Sequence, residues 1–390
     1  MRTAFRLAYR NLIGAGLRTW LNVIVLSFSF VIIIWMKGIL IGWDRQAKTD
    51  MTAWEIGGGQ YWHKEYDPFD PFTLEKSHAS IPDKLVQEIE SGDAVPVLIS
   101  TGTIYPSGRM QPVLIKGIPP KQNLLKLPTQ NLDKMTDVIP ALIGTTMARA
   151  SKLSPGDYVV LRWRDSRGTF DAAEIYIAGI FQTNVPTVDA GQIWIPLDTL
   201  QAMLSMPGEA TILTFRNDPP PDGSGTWKLM PVKALVADIE SMIRTKSSSQ
   251  SIFYGILLLL ALLAVFDTQV LSIFRRQKEI GTYIALGYTR KEVAGLFTLE
   301  GAMHAILAII AGTIYGLPFF IWQSRTGWKL PVESSDYGIT ISSVLYPVYS
   351  LGLILTTVLL VFITTLIVSY LPSRRIAKMN PTEALRGKLQ

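Results

Sequence analysis

Residues 275–300 read RRQKEIGTYIALGYTRKEVAGLFTLE, a strongly charged stretch set between two apolar runs, each long enough to cross a bilayer. The charges fall in two clusters, Arg275, Arg276, Lys278 and Glu279, then Arg290, Lys291 and Glu292. Between them Ile280, Tyr283, Ile284 and Leu286 are spaced as on one face of a helix, and Gly287 predicts its stop. The segment 275–292 therefore reads as a membrane-edge helix with an apolar face and a basic flank. Its arginines hold it at the cytosolic surface, where it can fit a groove on a soluble partner.

Working outward, 251–274 precedes this segment as one apolar span and 293–323 follows it as another. Two more apolar runs, 18–43 and 344–372, complete four spans, since about 20 residues cross a hydrocarbon core of about 30 Å. The positive N-terminal region raises the alternative of a cleaved signal peptide, but the apolar run is too long and no small-x-small site follows it. Residues 1–17 carry Arg2, Arg6 and Arg10 on one helical face and Phe5, Tyr9, Leu12 and Ile13 largely on another, which predicts an amphipathic cytosolic helix. Of 390 residues, 48% are hydrophobic and 17% charged, as expected when much of a chain lies in lipid.

The charge pattern orients the spans. Four arginines and no acidic residue lie before or at the start of the first span; five basic and two acidic residues lie between the second and third; the tail 373–390 holds Arg374, Arg375, Lys378, Arg386 and Lys388 against Glu383. The positive-inside rule then puts both termini in the cytosol and leaves 44–250 and the loop 324–343 outside. The net charge of +6 is thus a signal of topology and not of nucleic-acid binding.

Residues 44–250 differ in composition, with mixed charges, Gly and Pro punctuation, and short β-prone runs at Pro112–Lys116, Tyr158–Trp163 and Ile175–Ile180. Helical stretches at Pro82–Ser91 and Pro231–Ile243 make this an α+β domain, with a surface loop over Asn217–Gly225 and a hairpin turn over Tyr105–Arg109. The fold class is an α-helical membrane protein with four transmembrane helices and a large α+β extracytoplasmic domain inserted between helices 1 and 2.

Glu279-Ile280-Gly281, Ala285-Leu286-Gly287, Thr289-Arg290 and Leu299-Glu300-Gly301, in that order between two spans, resemble the cytoplasmic hallmark of FtsX-like permeases, the MacB-type (type VII) ABC permeases that include lipoprotein-releasing members. Ile115–Pro120, Leu153–Val160 and Ile177–Phe181 resemble the family's periplasmic core domain, and Pro372, Arg374, Arg375, Pro381, Ala384, Leu385 and Arg386 resemble its C-terminus. The resemblance implies a bacterial inner-membrane subunit without ATPase activity of its own. A separate ABC ATPase would bind ATP and Mg and dock on the segment around Arg276, Glu279, Ile280, Gly281, Ala285, Leu286, Gly287 and Arg290. It also implies a second permease copy or a paralogue, contact with membrane lipid, and a lipoprotein or periplasmic partner. The connection RDSRGTFDAAE at 164–174 lacks the proline-containing loop that docks a carrier in lipoprotein-releasing members, so carrier docking of that type is not implied.

No G-x-x-x-x-G-K-[ST] loop, G-x-S-x-G elbow or H-E-x-x-H occurs, so no catalytic or metal site is assigned. There is no cysteine, and His63, His78 and His304 are scattered and read as ordinary polar residues. Two intramembrane groups stand out. Asp267 lies roughly 10 Å from the inner edge at 1.5 Å per residue, where pairing with a neighbouring helix or protonation is expected; Glu300 lies close to that edge, where a basic partner is expected. Lys37 can snorkel outward. The function expected is coupling of a partner's ATP hydrolysis to export or extraction of a lipoprotein, peptide or drug-like substrate. The alternatives are mechanotransmission to an extracytoplasmic enzyme such as a cell-wall hydrolase, and a sensor or scaffold without an ATPase.

Overall fold

The computed structural model describes residues 17–133, 138–220, 225–329 and 344–374. The expected helix at 1–17 (except Leu17), part of the loop 217–225, most of the loop 324–343 and all but the first two residues of the tail 373–390 lie outside the described residues. The chain divides into two compact units, one of residues 1–42, 243–328 and 346–390, the other of residues 43–242 and 329–345.

The first unit is a helix bundle. Its long helices are α1 (Leu17–Met51), α4 (Ala237–Arg275), α6 (Arg290–Thr326) and α7 (Leu351–Ser373), all apolar and long enough to cross a membrane. Their shared core joins Leu26, Phe30 and Ile34 of α1 with Leu258 and Val265 of α4, Ala305 and Ala308 of α6, and Val361 of α7. Small residues let the helices approach closely. A β-carbon on Gly312 would sit 2.8 Å from the Phe30 ring, and one on Gly301 would collide with Ser369 Oγ and Cβ. Asn22 donates to Thr268 Oγ1 at 2.6 Å and so ties α1 to α4 with a bond that lipid cannot replace.

Two expected boundaries shift. The apolar run at 344–372 suggested a helix from residue 344, but Val344–Leu345 pair as a short strand and α7 starts only at Leu351. Pro347 interrupts the run, and Ser350 caps the helix by accepting from the Leu353 amide at 3.2 Å. The segment 275–292 is likewise not one helix. The chain breaks at Arg276, forms a short α5 (Gln277–Ala285), and starts α6 at Arg290.

The second unit holds β1 (Gly59–His63), β2 (Ala94–Ile104), β3 (Gln111–Ile118), β4 (Ile139–Gly144), β5 (Tyr158–Arg164), β6 (Phe170–Phe181), β7 (Gln192–Pro196), β8 (Ile212–Phe215) and β9 (Trp227–Pro231), with α2 (Thr145–Ser151) and α3 (Leu197–Leu204). They form one mixed sheet in the order β9-β1-β8-β2-β3-β7-β4-β6-β5. The pairs β3–β7 and β4–β6 are parallel and the others antiparallel. A further pairing of β2 with β5 closes the last six strands into a ring. Among the described residues β2 meets β5 through Gly102, Thr103 and Ile104, and β4 meets β7 through Leu142 and Ile143. Alternation along β5 points Val159, Leu161 and Trp163 into the ring's core with Ile104, Ile115, Ile143, Ile175 and Ile193. The connection at 164–174 is shorter than its charge suggested, because Arg164 and Phe170 already pair across the strands and Asp165–Thr169 alone make the turn. The hairpin turn at Tyr105–Arg109 falls where its residues place it.

His63 at the end of β1 is buried, edge-on to the Trp227 ring at 6.3 Å. Its Nδ1 accepts from the Glu65 amide at 3.3 Å, which fits the neutral ring. Burial pushes its pKa down, opposed by nearby Glu65.

Candidate functional site

The loop between α4 and α6 is built on Arg276. Its Nη1 donates to both oxygens of Glu300, at 3.0 and 2.8 Å, its Nε donates to Glu279 Oε2 at 2.6 Å, and its guanidinium lies 4.8 Å from the Phe297 ring centroid. The Glu300 side chain is only 7% exposed, whereas that of Glu279 is 56% exposed. The planar guanidinium suits this double role, offering Nη1 to one carboxylate and Nε to the other while stacking on an aromatic face. Burial opposes the charge on Arg276, but Glu300 and Glu279 outweigh it and raise its pKa.

Apolar packing completes the anchor. Ile280 of α5 is fully buried against Ile273 of α4 and Val293, Ala294 and Phe297 of α6, with Tyr283 and Ile284 half-buried beside it. Leu286 does not join this face. The helix ends at Ala285, Gly287 takes φ 98°, and Leu286 turns outward with 72% exposure. Thr289 then caps α6 in a reciprocal box: its Oγ1 accepts from the Glu292 amide at 3.3 Å, and Glu292 Oε2 accepts from the Thr289 amide at 2.8 Å.

The residues singled out in the sequence thus fall into two sets. Arg276, Ile280, Gly281 and Glu300 are the inner set that fastens the loop to α6; Glu279, Ala285, Leu286, Gly287 and Arg290 are exposed on its outer side, joined by Tyr288 at 54%. Asp267 belongs to neither. It is exposed on α4, in line with Leu260, Leu263, Leu271 and Phe274, and among the described residues no ion pair or hydrogen bond holds it to a neighbouring helix, contrary to the expected pairing. Phe297 was not foreseen as part of the site. Its place one turn before Glu300, on the same helical face, is the signal that could have found it. Among the described residues no group of three or more His, Asp or Glu side chains gathers as a metal site requires.

Comparison with known proteins places this loop in a wider context. Residues 251–381 match the family model described as FtsX-like permease C-terminal. The chain is 20% identical over 322 residues to the lipoprotein-releasing system transmembrane protein LolC of Xylella fastidiosa, a match covering 74% of this chain and 76% of LolC. It is 22% identical over 229 residues to the uncharacterized ABC transporter permease YknZ of Bacillus subtilis, covering 56% of this chain and 50% of YknZ. It is 25% identical over 166 residues to the macrolide export ATP-binding/permease protein MacB of Wolinella succinogenes, covering 43% of this chain and 23% of MacB.

Proposed function

Because the chain belongs to the FtsX/MacB-type ABC transporter permeases, we propose that it is the membrane subunit on which a separate ATPase, holding ATP and Mg, docks through the α4–α6 loop. The ATPase closes on nucleotide and displaces α5; the bundle passes the displacement to the inserted domain, which handles cargo outside the cytosol. Such coupling needs two discrete arrangements with different affinity for the nucleotide-bound partner.

The observation that carries this reading is the division of the loop. An inner set of side chains locks α5 to α6 by a buried ion pair and an apolar seat, while the tip presents Ala285, Leu286 and Tyr288 to solvent. A large aliphatic side chain held 72% exposed by a glycine turn suits a groove on another protein. The basic clusters beside it support an inner-membrane protein with the loop and both termini in the cytosol and the inserted domain outside. The relatives named for lipoprotein release and macrolide export support a lipoprotein, peptide or drug-like cargo, and two permease copies are expected per assembly.

The test is affinity purification of the intact chain from mild detergent beside Leu286→Glu, which leaves the Arg276 anchor untouched. A Walker-motif ATPase that accompanies the parent and is lost from the variant supports docking at the tip. Absence of any ATPase from the parent overturns the coupling reading.

A further inference from the structure

The face that α7 buries in the bundle repeats every four residues, with Leu353, Thr357, Val361, Thr365, Ser369 and Ser373 all buried. From Thr357 onward the row reads Thr, Val, Thr, Ser, Ser. A shift of four residues, about 6 Å at 1.5 Å per residue, therefore sets each of these side chains in a place shaped for one of nearly the same size. Putting Thr where Val was normally leaves a hydroxyl without a partner. Here it does not, because the hydroxyls bond within α7: Thr357 Oγ1 donates to Leu353 O at 2.8 Å, Thr365 Oγ1 to Val361 O at 2.7 Å and Ser373 Oγ to Ser369 O at 2.9 Å. The row carries these bonds with it as it moves.

Ser369 breaks the pattern. It is fully buried, yet its Oγ has no hydrogen-bond partner among the described residues, and neither has Gln269 Oε1 on α4 or His304 Nε2 on α6, each on a residue 2% exposed. All three side chains meet at Gly301. A β-carbon there would overlap Ser369 and lie 3.2 Å from Gln269 Cδ, and His304 Nδ1 donates to Gly301 O at 3.2 Å, which leaves Nε2 a bare acceptor. Buried polar groups without partners are costly, so a register that pairs them is favoured at this crossing. Helix α6 runs outward from the loop and α7 returns alongside it, so moving α7 outward by one turn carries the Ser369 hydroxyl from Gly301 to the level of His304 and brings the Ser373 hydroxyl to Gln269.

The slack for such a shift lies just ahead of the helix. Residues 346–350 have no regular structure and are held to α1 by the Val348 amide, which donates to Gly38 O at 2.9 Å. Winding Pro347–Ser350 into helix shortens them from about 3.3 to about 1.5 Å per residue, a gain of about 7 Å that matches one turn. Proline is accepted at the first helical position. Tyr349, which moves with this segment, also has a buried hydroxyl without a partner among the described residues.

We propose that α7 has two registers against α6, one helical turn apart, and that Pro347–Ser350 wind into helix as α7 passes to the outer one. This rests on the coupling reading above, for which it supplies the second arrangement.

The chain has no cysteine, so introduced pairs report the register when inverted membrane vesicles holding the full chain are oxidised. Because Gly301 faces Ser369, four residues further along each helix Ala305 faces Thr365 now and Ser369 after the shift. Ala305→Cys is combined with Thr365→Cys for the present register, with Ser369→Cys for the outer one, and with Ser373→Cys as a control two turns away. The 305–365 disulfide reports that the bundle has folded, and the 305–369 disulfide is expected roughly tenfold above the control. Ser350→Pro fits the present backbone, where φ is −75°, but cannot enter a helix interior, so it should keep the 305–365 disulfide and abolish 305–369. A 305–369 disulfide no more abundant than the control, or one that Ser350→Pro leaves unchanged, overturns the proposal. ATP with Mg is expected to change the ratio of the two disulfides; if both form in a ratio that ATP leaves unchanged, the two registers stand and the coupling reading falls.

Discussion

Replacing Arg276 by methionine tests how α5 is fastened. Two carboxylates meet this guanidinium, but their worth differs. The pair with Glu279 lies at the surface and contributes at most about 1 kcal/mol. Glu300 is buried on α6 and takes both Nη1 contacts, at 2.8 and 3.0 Å, so removing the countercharge costs about 3–5 kcal/mol. Arg276→Met is therefore expected to destabilise by about that amount, and Glu279→Ala by a fraction of it. Arg276→Met combined with Glu300→Met replaces a buried ion pair by two apolar side chains of similar length, and should recover most of the loss. The assay is unfolding of purified protein by graded dodecyl sulfate in mixed micelles, followed by tryptophan fluorescence. An Arg276→Met variant within about 1 kcal/mol of the parent, or a double variant no better than the sum of the single ones, would refute the clamp.

Gly301→Ala pushes a β-carbon into Ser369 and should cost about 1–3 kcal/mol, partly recovered by adding Ser369→Gly, whereas Gly295→Ala on the same helix meets nothing within 4 Å and should be neutral in the same unfolding assay. Thr289→Ala removes the cap of α6 at a cost of about 1 kcal/mol, visible as faster amide exchange over Arg290–Val293. His63 has a folded pKa below its ordinary value near 6.5, so the unfolded chain binds more protons as pH falls through that value; stability drops with acidification. Protection of the β1 amides, taken relative to their intrinsic exchange rate at each pH, should therefore fall between about pH 7.5 and about pH 5.5, and His63→Gln should flatten the dependence, with Glu65, His78 and Lys64 the charged groups that act on the ring.

The spans were readable because a bilayer sets a length that composition alone can meet, and the insertion between the first two was visible as a change in that composition. The ends of the helices were less so. The run before Leu351 stays apolar as far as Tyr349, and only Pro347 and the hydroxyl of Ser350 show where the helix must begin. Leu286 fits an apolar helical face by spacing, yet the helix stops one residue earlier. A basic partner for Glu300 could be expected from its depth, but five basic residues lie in the loop, and only the fold selects Arg276. The pairing of Gly102–Ile104 with Leu161–Trp163 joins strands far apart in sequence, so no local pattern announces the ring.

The ring of the inserted domain has two narrow joints, and they give it an unusual mechanical character. Strands β2, β3 and β7 form one shell with long shared ladders, and β4, β6 and β5 form another. The shells meet through Gly102–Ile104 on one side and Leu142–Ile143 on the other. Opening a joint exposes few backbone groups, whereas splitting a shell exposes a full ladder. Under load the ring should therefore flatten like a hoop with two hinges while each shell keeps its shape, and shape change becomes cheaper than unfolding.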